Sequence, residues 1–115
     1  MPHINLTDNT PFFTIGVPTF NRIELLKQTI QSILEQTYTD FEIIIANDYT
    51  EDILTNETLD LYDKRIRIFN NKENLGEIGN MNFLLSLSKG KYFTWQFDDD
   101  FYSLNFFEEV YTAIT

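Results

Sequence analysis

An α/β domain built on a mainly parallel sheet of about four strands, with helices on both faces, is the fold this sequence predicts. Three observations predict it. Short apolar runs rich in β-branched and aromatic residues alternate with segments whose apolar residues recur at three- and four-residue spacing, an order that suits right-handed crossovers between parallel strands. The 115 residues are the length of one domain, and a hydrophobic content of 43% with eleven Phe, six Tyr and one Trp supplies its core. No internal repeat, low-complexity run or linker divides the chain.

Residues 1–11, "MPHINLTDNTP", are polar and read as a mobile tail. Residues 12–17, "FFTIGV", are an apolar run of β-formers that Pro18 is expected to stop, hence a buried strand. The period then changes. Ile23, Leu26, Ile30, Ile33 and Leu34 predict an amphipathic helix over 23–36, with Asn21 as its cap. Residues 41–46, "FEIIIA", are a second strand. The polar stretch that follows holds one short helix around 54–62, and "RIRIF", 65–69, alternates as a third strand. Residues 70–76 form a loop. Ile78, Met81, Leu84, Leu85 and Leu87 mark a helix ending at Gly90. "YFTWQF", 92–97, is the fourth strand, and Leu104, Phe107, Val110, Tyr111 and Ile114 give a last helix that runs to the end.

Eighteen acidic against eight basic residues give a net charge of −10, which repels nucleic acid and anionic membrane surfaces and argues against either as a partner. The same field repels nucleotides, so a phosphorylated ligand would need local Lys and Arg or a divalent metal. No Cys is present, which excludes disulfides and thiolate metal sites and leaves oxygen ligation open. No apolar run approaches the roughly 18 residues that span a bilayer, and the N-terminus lacks the basic and apolar regions of a signal peptide. The expected location is the cytoplasm, with the membrane periphery as the alternative for a full-length protein.

In a parallel sheet the loops leaving the strands gather at one edge, and ligands bind there. Those loops are "PTFNR", "NDYTED", "NNKENLG" and "DDDFYS", so Asp48 and the run Asp98, Asp99 and Asp100 should face one crevice. The turns at the opposite edge, "QTYTD" and "SKGK", carry no comparable concentration of acids. A G-x-G-x-x-G turn after the first strand and a G-K-[ST] phosphate loop are both missing. If phosphates bind, carboxylates holding a hard divalent cation are the remaining device. Each residue also has a plainer reading. The Asp run can be a solvated turn before a helix, Asp48 a turn-former, Phe20 a core aromatic, Arg22 an exposed helix-start cation, and His3 a tail residue with no role.

"TIGVPTFNR" followed by "LLKQTIQSILEQTYTDFEIIIANDYTED", then "NLG" with Asn82 and "GKYFTWQFDDD", closely resembles the opening of the inverting family 2 glycosyltransferases. The resemblance covers residues 12 to about 103. It implies a Rossmann-like GT-A half that binds a nucleotide sugar, a UDP-sugar first of all, for inverting transfer to an acceptor hydroxyl. Carried over by position, Pro18 and Thr19 line the pocket, Phe20 stacks on the base, and Asp48 hydrogen-bonds it. Asp98 and Asp99 fall on the D-x-D region, where Asp99 would coordinate Mn²⁺ or Mg²⁺.

This chain departs from the common pattern at Phe97, Asn47 and Met81, which stand where Asp, Asp and a basic residue are usual. Members of the family also continue for a hundred or more residues that carry the acceptor site and the general base. The expectation is therefore a donor-binding half over 12–115 without its acceptor half, catalytically silent alone, with no catalytic residue assigned. Two other classes compete. A phosphoacceptor receiver module has similar length and an acidic strand-end pocket, but it needs an acidic pair after strand one and a Lys after a fifth strand. A binding-only relic of the same fold would keep the pocket and lose the chemistry.

Overall fold

A computed structural model describes residues 10–97 and 101–115. Its elements are β1 (Phe13–Thr19), α1 (Ile23–Leu34), β2 (Phe41–Asn47), α2 (Asn56–Leu59), β3 (Ile66–Asn70), α3 (Gly76–Ser86), β4 (Tyr92–Trp95) and α4 (Phe106–Ile114). The predicted alternation is present throughout. All four strands pair in parallel in the order β3-β2-β1-β4, so the two apolar runs lacking polar alternation, β1 and β2, are the interior strands.

Strand periodicity sorts the core into two layers. On one face Phe13, Ile15 and Val17 join Phe41, Ile43 and Ile45 against Leu26, Ile30 and Ile33 of α1, with Leu59 of α2 and Phe107 of α4 in the same cluster. On the other face Ile44 and Ala46 meet Leu84 of α3, with Phe69, Phe83, Leu87 and Phe93 packed around them. Helices thus cover both faces, as the sequence predicts.

Several boundaries differ from expectation, each for a local reason. β1 does not stop at Pro18. It runs through it to Thr19, with Pro18 opposite Ala46 and Thr19 opposite Asn47 of β2. The carbonyl of Gly16 accepts from the N–H of Gln96, so the even-numbered residues of β1 turn their backbone groups toward β4. The β1–β4 ladder ends at Gly16 and Trp95. Pro18 lies beyond that last rung, where its missing N–H breaks no bond. β4 accordingly ends two residues early.

Asn21 is not the cap of α1. It adopts a left-handed conformation, φ 53°, and Arg22 takes the cap position without a side-chain hydrogen bond. α2 is only four residues, bounded by a Thr55–Thr58 capping box and by Asp60 at φ 54°. α3 begins at Gly76, earlier than its apolar pattern indicates, and Leu87 rather than Gly90 terminates it. Gly90 answers a different need. A Cβ there would lie 2.6 Å from the Thr14 backbone nitrogen, so only glycine allows the approach, and its N–H donates to Thr14 Oγ1 at 2.7 Å.

At the strand edge away from the acidic loops, Glu42 ties three strands together. Its carboxylate accepts from Thr14 Oγ1 at 2.6 Å, from the Lys89 N–H at 2.9 Å and from the Arg67 guanidinium at 2.9 Å. Burial alone would push its carboxyl up, but the bonds from Thr14, Lys89 and Arg67 outweigh that and hold it below the usual range. α4 is fastened to the end of α1 by a similar device. Gln36 Nε2 donates to the Ser103 carbonyl at 2.7 Å, Gln36 Oε1 accepts from the Phe107 N–H at 3.2 Å, and the Thr37 N–H donates to the Leu104 carbonyl at 2.9 Å.

Candidate functional site

The strand order reverses between β1 and β4: the chain steps from β1 outward through β2 to β3, then returns to the other side of β1. In open α/β sheets the crevice at such a reversal, outside the carboxyl ends of the strands, is where ligands bind. A cavity of about 420 Å³ occupies it here. Pro18, Thr19 and Phe20 line it from the end of β1, Asp48 from the end of β2, and Phe97 from the end of β4. Arg22 enters from the start of α1, and Asn74, Gly76, Glu77 and Asn80 come from the loop before α3 and its first turns. Four of the predicted site residues therefore share one cavity. Asp98, Asp99 and Asp100 lie outside the described residues.

Phe20 is 51% exposed, so it is not the core aromatic of the plainer reading. Its ring meets that of Tyr49 at 5.1 Å and 77°, an edge-to-face contact that bridges the β1 and β2 loops.

Asp48 is 5% exposed and deeply engaged. Its Oδ1 accepts from the Leu75 N–H at 2.7 Å and from Asn71 Nδ2 at 2.9 Å, and its Oδ2 accepts from the Gly76 N–H at 3.0 Å. Those backbone donors sit at the start of α3, where Leu75 has no polar side chain to satisfy them and Asn74 Oδ1 shares only the Gly76 N–H, at 3.0 Å, and a negative charge is stabilised at that end of a helix. Asp48 is the remote cap that lets α3 begin at Gly76, whose φ of 78° suits the sharp entry.

The same bond system extends inward. Asn71 Nδ2 also donates to Asn80 Oδ1 at 2.8 Å, and Asn80 Nδ2 donates to the Ala46 carbonyl at 3.0 Å. Asn47, standing where the family pattern has Asp, serves the neighbouring loop: Nδ2 donates to the Asp52 carbonyl and to Asn70 Oδ1, while Oδ1 accepts from the Tyr49 N–H. Neutral amides can both give and take in this way, which a carboxylate cannot.

Sequence reasoning missed Asn71, Asn74, Asn80 and Glu77. For Asn80 a signal exists. It falls on the i, i+4, i+7 stripe with Leu84 and Leu87, so a polar residue occupies the inward face of α3. Asn71 and Asn74 lie in "NNKENLG", a loop expected at the crevice, but nothing in that run singles out either side chain.

Among the described residues no group of three or more His, Asp or Glu could hold a metal ion. Asp98, Asp99 and Asp100 are all hard oxygen donors of the kind Mg²⁺ and Mn²⁺ take, and Phe97, which immediately precedes them, lines the cavity. The donor chemistry fits such an ion. No helix among the described residues is long and apolar enough to cross a membrane.

The family model for glycosyl transferase family 2 matches residues 14–115. This chain belongs to that family. An uncharacterized glycosyltransferase of Haemophilus influenzae is 36% identical over 109 residues, covering 93% of this chain and 34% of that protein. A GalNAc(5)-diNAcBac-PP-undecaprenol beta-1,3-glucosyltransferase of Campylobacter jejuni is 38% identical over 93 residues, covering 78% of this chain and 30% of its own length. Among solved structures, S. aureus TarS 1-349 in complex with UDP-GlcNAc superposes with a TM-score of 0.78 at 20% identity, over 89% of this chain and 30% of that one. Mannosyltransferase PcManGT from Pyrobaculum calidifontis, in complex with GDP-Man and Mn²⁺, gives 0.64 at 19% identity, over 81% and 29%. The sheet and helices of this family 2 chain are therefore those of GT-A glycosyltransferases, and the chain spans about a third of the length of these relatives.

Proposed function

We propose that the crevice between β1 and β4 is the donor site of a glycosyltransferase, binding a nucleoside-diphosphate sugar, a UDP-sugar first of all, for inverting transfer to an acceptor hydroxyl. One observation carries the reading: the residues that family position assigns to the nucleotide, Pro18, Thr19, Phe20 and Asp48, line a single cavity at the topological switch point. That solved relatives hold UDP-GlcNAc or GDP-Man supports a nucleotide sugar as the ligand class.

In this reading the half-exposed Phe20 ring stacks on the base, Pro18 and Thr19 form the floor beneath the nucleotide, and Asp48 fixes the far wall by holding the start of α3. Asp98 and Asp99 follow Phe97 in sequence, and Asp99 would hold Mn²⁺ or Mg²⁺. Bound there, the ion supplies the positive charge that a diphosphate leaving group needs on a chain of net charge −10. Attack by the acceptor hydroxyl from the opposite side requires a base within hydrogen-bond reach. No residue named here is assigned as that base.

Calorimetry with UDP tests the proposal, in Mn²⁺ and again in excess chelator. Binding in the presence of the metal and none in chelator is the expected result. Equal affinity in both removes the metal from the reading, and no binding in either overturns the donor site itself.

A further inference from the structure

The two edge strands of the sheet differ in how they meet solvent. β3 carries Arg67 and is entered through Lys64 and Arg65, and charged side chains along an edge strand deter pairing with another chain. β4, "YFTW", carries no charge and no Pro. Its backbone is open on the outer side. The Tyr92 N–H donates to the Phe12 carbonyl at 3.0 Å and the Gln96 N–H to that of Gly16 at 2.8 Å, so Tyr92, Thr94 and Gln96 turn toward β1 while Phe93 and Trp95 turn away. Among the described residues the N–H groups of Phe93 and Trp95 and the Phe93 carbonyl have no partner, and the Trp95 carbonyl has only a 3.4 Å contact with Thr94 Oγ1. Apolar side chains flank this edge. Leu84 of α3 packs into the sheet and Phe83 meets Phe69 of β3, with ring centroids 6.0 Å apart. Each residue advances about 100° around a helix, so Leu85 takes the opposite flank, toward β4, and Ile78, one heptad earlier, shares it. Leu85 is 47% and Ile78 75% exposed.

We propose that β4 is a self-association edge, on which a second copy of this chain adds its own β4 antiparallel across a two-fold axis and joins the two sheets into one. The pairing is self-complementary. With Thr94 opposite the second copy's Thr94, Phe93 and Trp95 exchange backbone hydrogen bonds with Trp95 and Phe93 of the second copy, and the outward groups of β4 are satisfied together. Charge singles out this seam. In a chain of net charge −10, neither β4 nor Ile78 and Leu85 bear any, so two copies approach there with little local repulsion, and an acidic or basic partner finds nothing to pair with. The apolar strip is smaller than the roughly 800 Å² per partner of a standard interface, so the dimer is a weak one. The two crevices open at opposite ends of the joined sheet, and the inference stands whatever the crevice binds.

Sedimentation of the whole chain across a range of concentrations tests it. A reversible monomer–dimer equilibrium in the micromolar range is expected. Thr94→Lys and Thr94→Glu each set like charges opposite one another on the axis and should weaken the dimer by at least about tenfold. An equimolar mixture of the two should restore it as a heterodimer, a rescue that a role of Thr94 in folding alone would not produce. If the Thr94 variants melt below the unaltered chain, Leu85→Glu at its exposed position decides, and it too is expected to weaken the dimer. A chain that stays monomeric at every concentration or grows beyond two copies, a dimer that Leu85→Glu leaves intact, or a mixture of folded Thr94 variants that fails to pair overturns the proposal.

Discussion

The backbone N–H of Leu75 donates to Oδ1 of Asp48 at 2.7 Å, so an acidic residue at the end of β2 caps a helix that begins 28 residues later. The bond joins two walls of the crevice. Asp48→Ala would leave the N–H groups of Leu75 and Gly76 and the amide of Asn71 without this acceptor, at a cost of about 2–3 kcal/mol. Asp48→Asn, which keeps an acceptor oxygen, should cost less. Urea denaturation measures both, and a midpoint unmoved in Asp48→Ala would refute the capping role.

Gln36 does for α4 what Asp48 does for α3, across 71 residues. Gln36→Leu removes the acceptor of the Phe107 N–H and the donor to the Ser103 carbonyl, and is expected to cost about 1–3 kcal/mol. Faster amide exchange confined to α4 would identify the detachment. Exchange that rises equally in every element would mean that Gln36 supports the whole fold instead.

Glu42 makes stability depend on acid. Its folded-state carboxyl is held below its ordinary value of 4.5, so the unfolded chain takes up the proton more readily. Its contribution is fully present above that ordinary value and is lost as the pH falls through the lowered one. Glu42→Gln should be less stable than the unaltered chain at neutral pH, with the gap closing in the acid range. Melting temperatures measured across pH for both proteins check this, and parallel curves would refute it.

Phe20→Ala is expected to weaken UDP binding by about tenfold through lost stacking, since base–aromatic contacts contribute about 1–3 kcal/mol. Stability should hardly change, because the ring is 51% exposed. Its metal requirement should persist. Loss of the fold in this variant would return Phe20 to a structural role.

Asp99→Asn should abolish the metal-dependent part of UDP binding while leaving the melting temperature intact, because it is nearly isosteric and removes one charge from a run of three like-charged residues. Asp100→Asn should matter less. Titrating Mn²⁺ into both variants in the presence of UDP separates them, and identical behaviour would unseat Asp99 as the ligand.

The sequence disclosed what depends on local pattern. The unbroken apolar runs at 41–46 and 12–17 announced strands, and the 3.6-residue period announced α1. It also brought Pro18, Thr19, Phe20 and Asp48 to one edge, because strand ends share an edge in any parallel sheet. What Asp48 binds was hidden. Its partners are backbone N–H groups at the start of a helix that Asn74 caps only at Gly76, and nothing in the spelling of either segment refers to the other. Strand order was hidden for the same reason, since pairing between β1 and β4 is a relation between distant backbones. The short α2 escaped because two threonines and a left-handed Asp60 delimit it more sharply than any periodicity. Asp98 and Asp99 remain expectations from family position.

Pro18 gives the crevice a covalent origin. Any other residue at that point of β1 would offer an N–H to the chain leaving β4, and the two strands could zip one rung further, closing the seam. An imino acid cannot. The mouth is therefore built into the empty protein, and a nucleotide bound as proposed would have no strands to pry apart, so little binding energy would be diverted into rearranging its host.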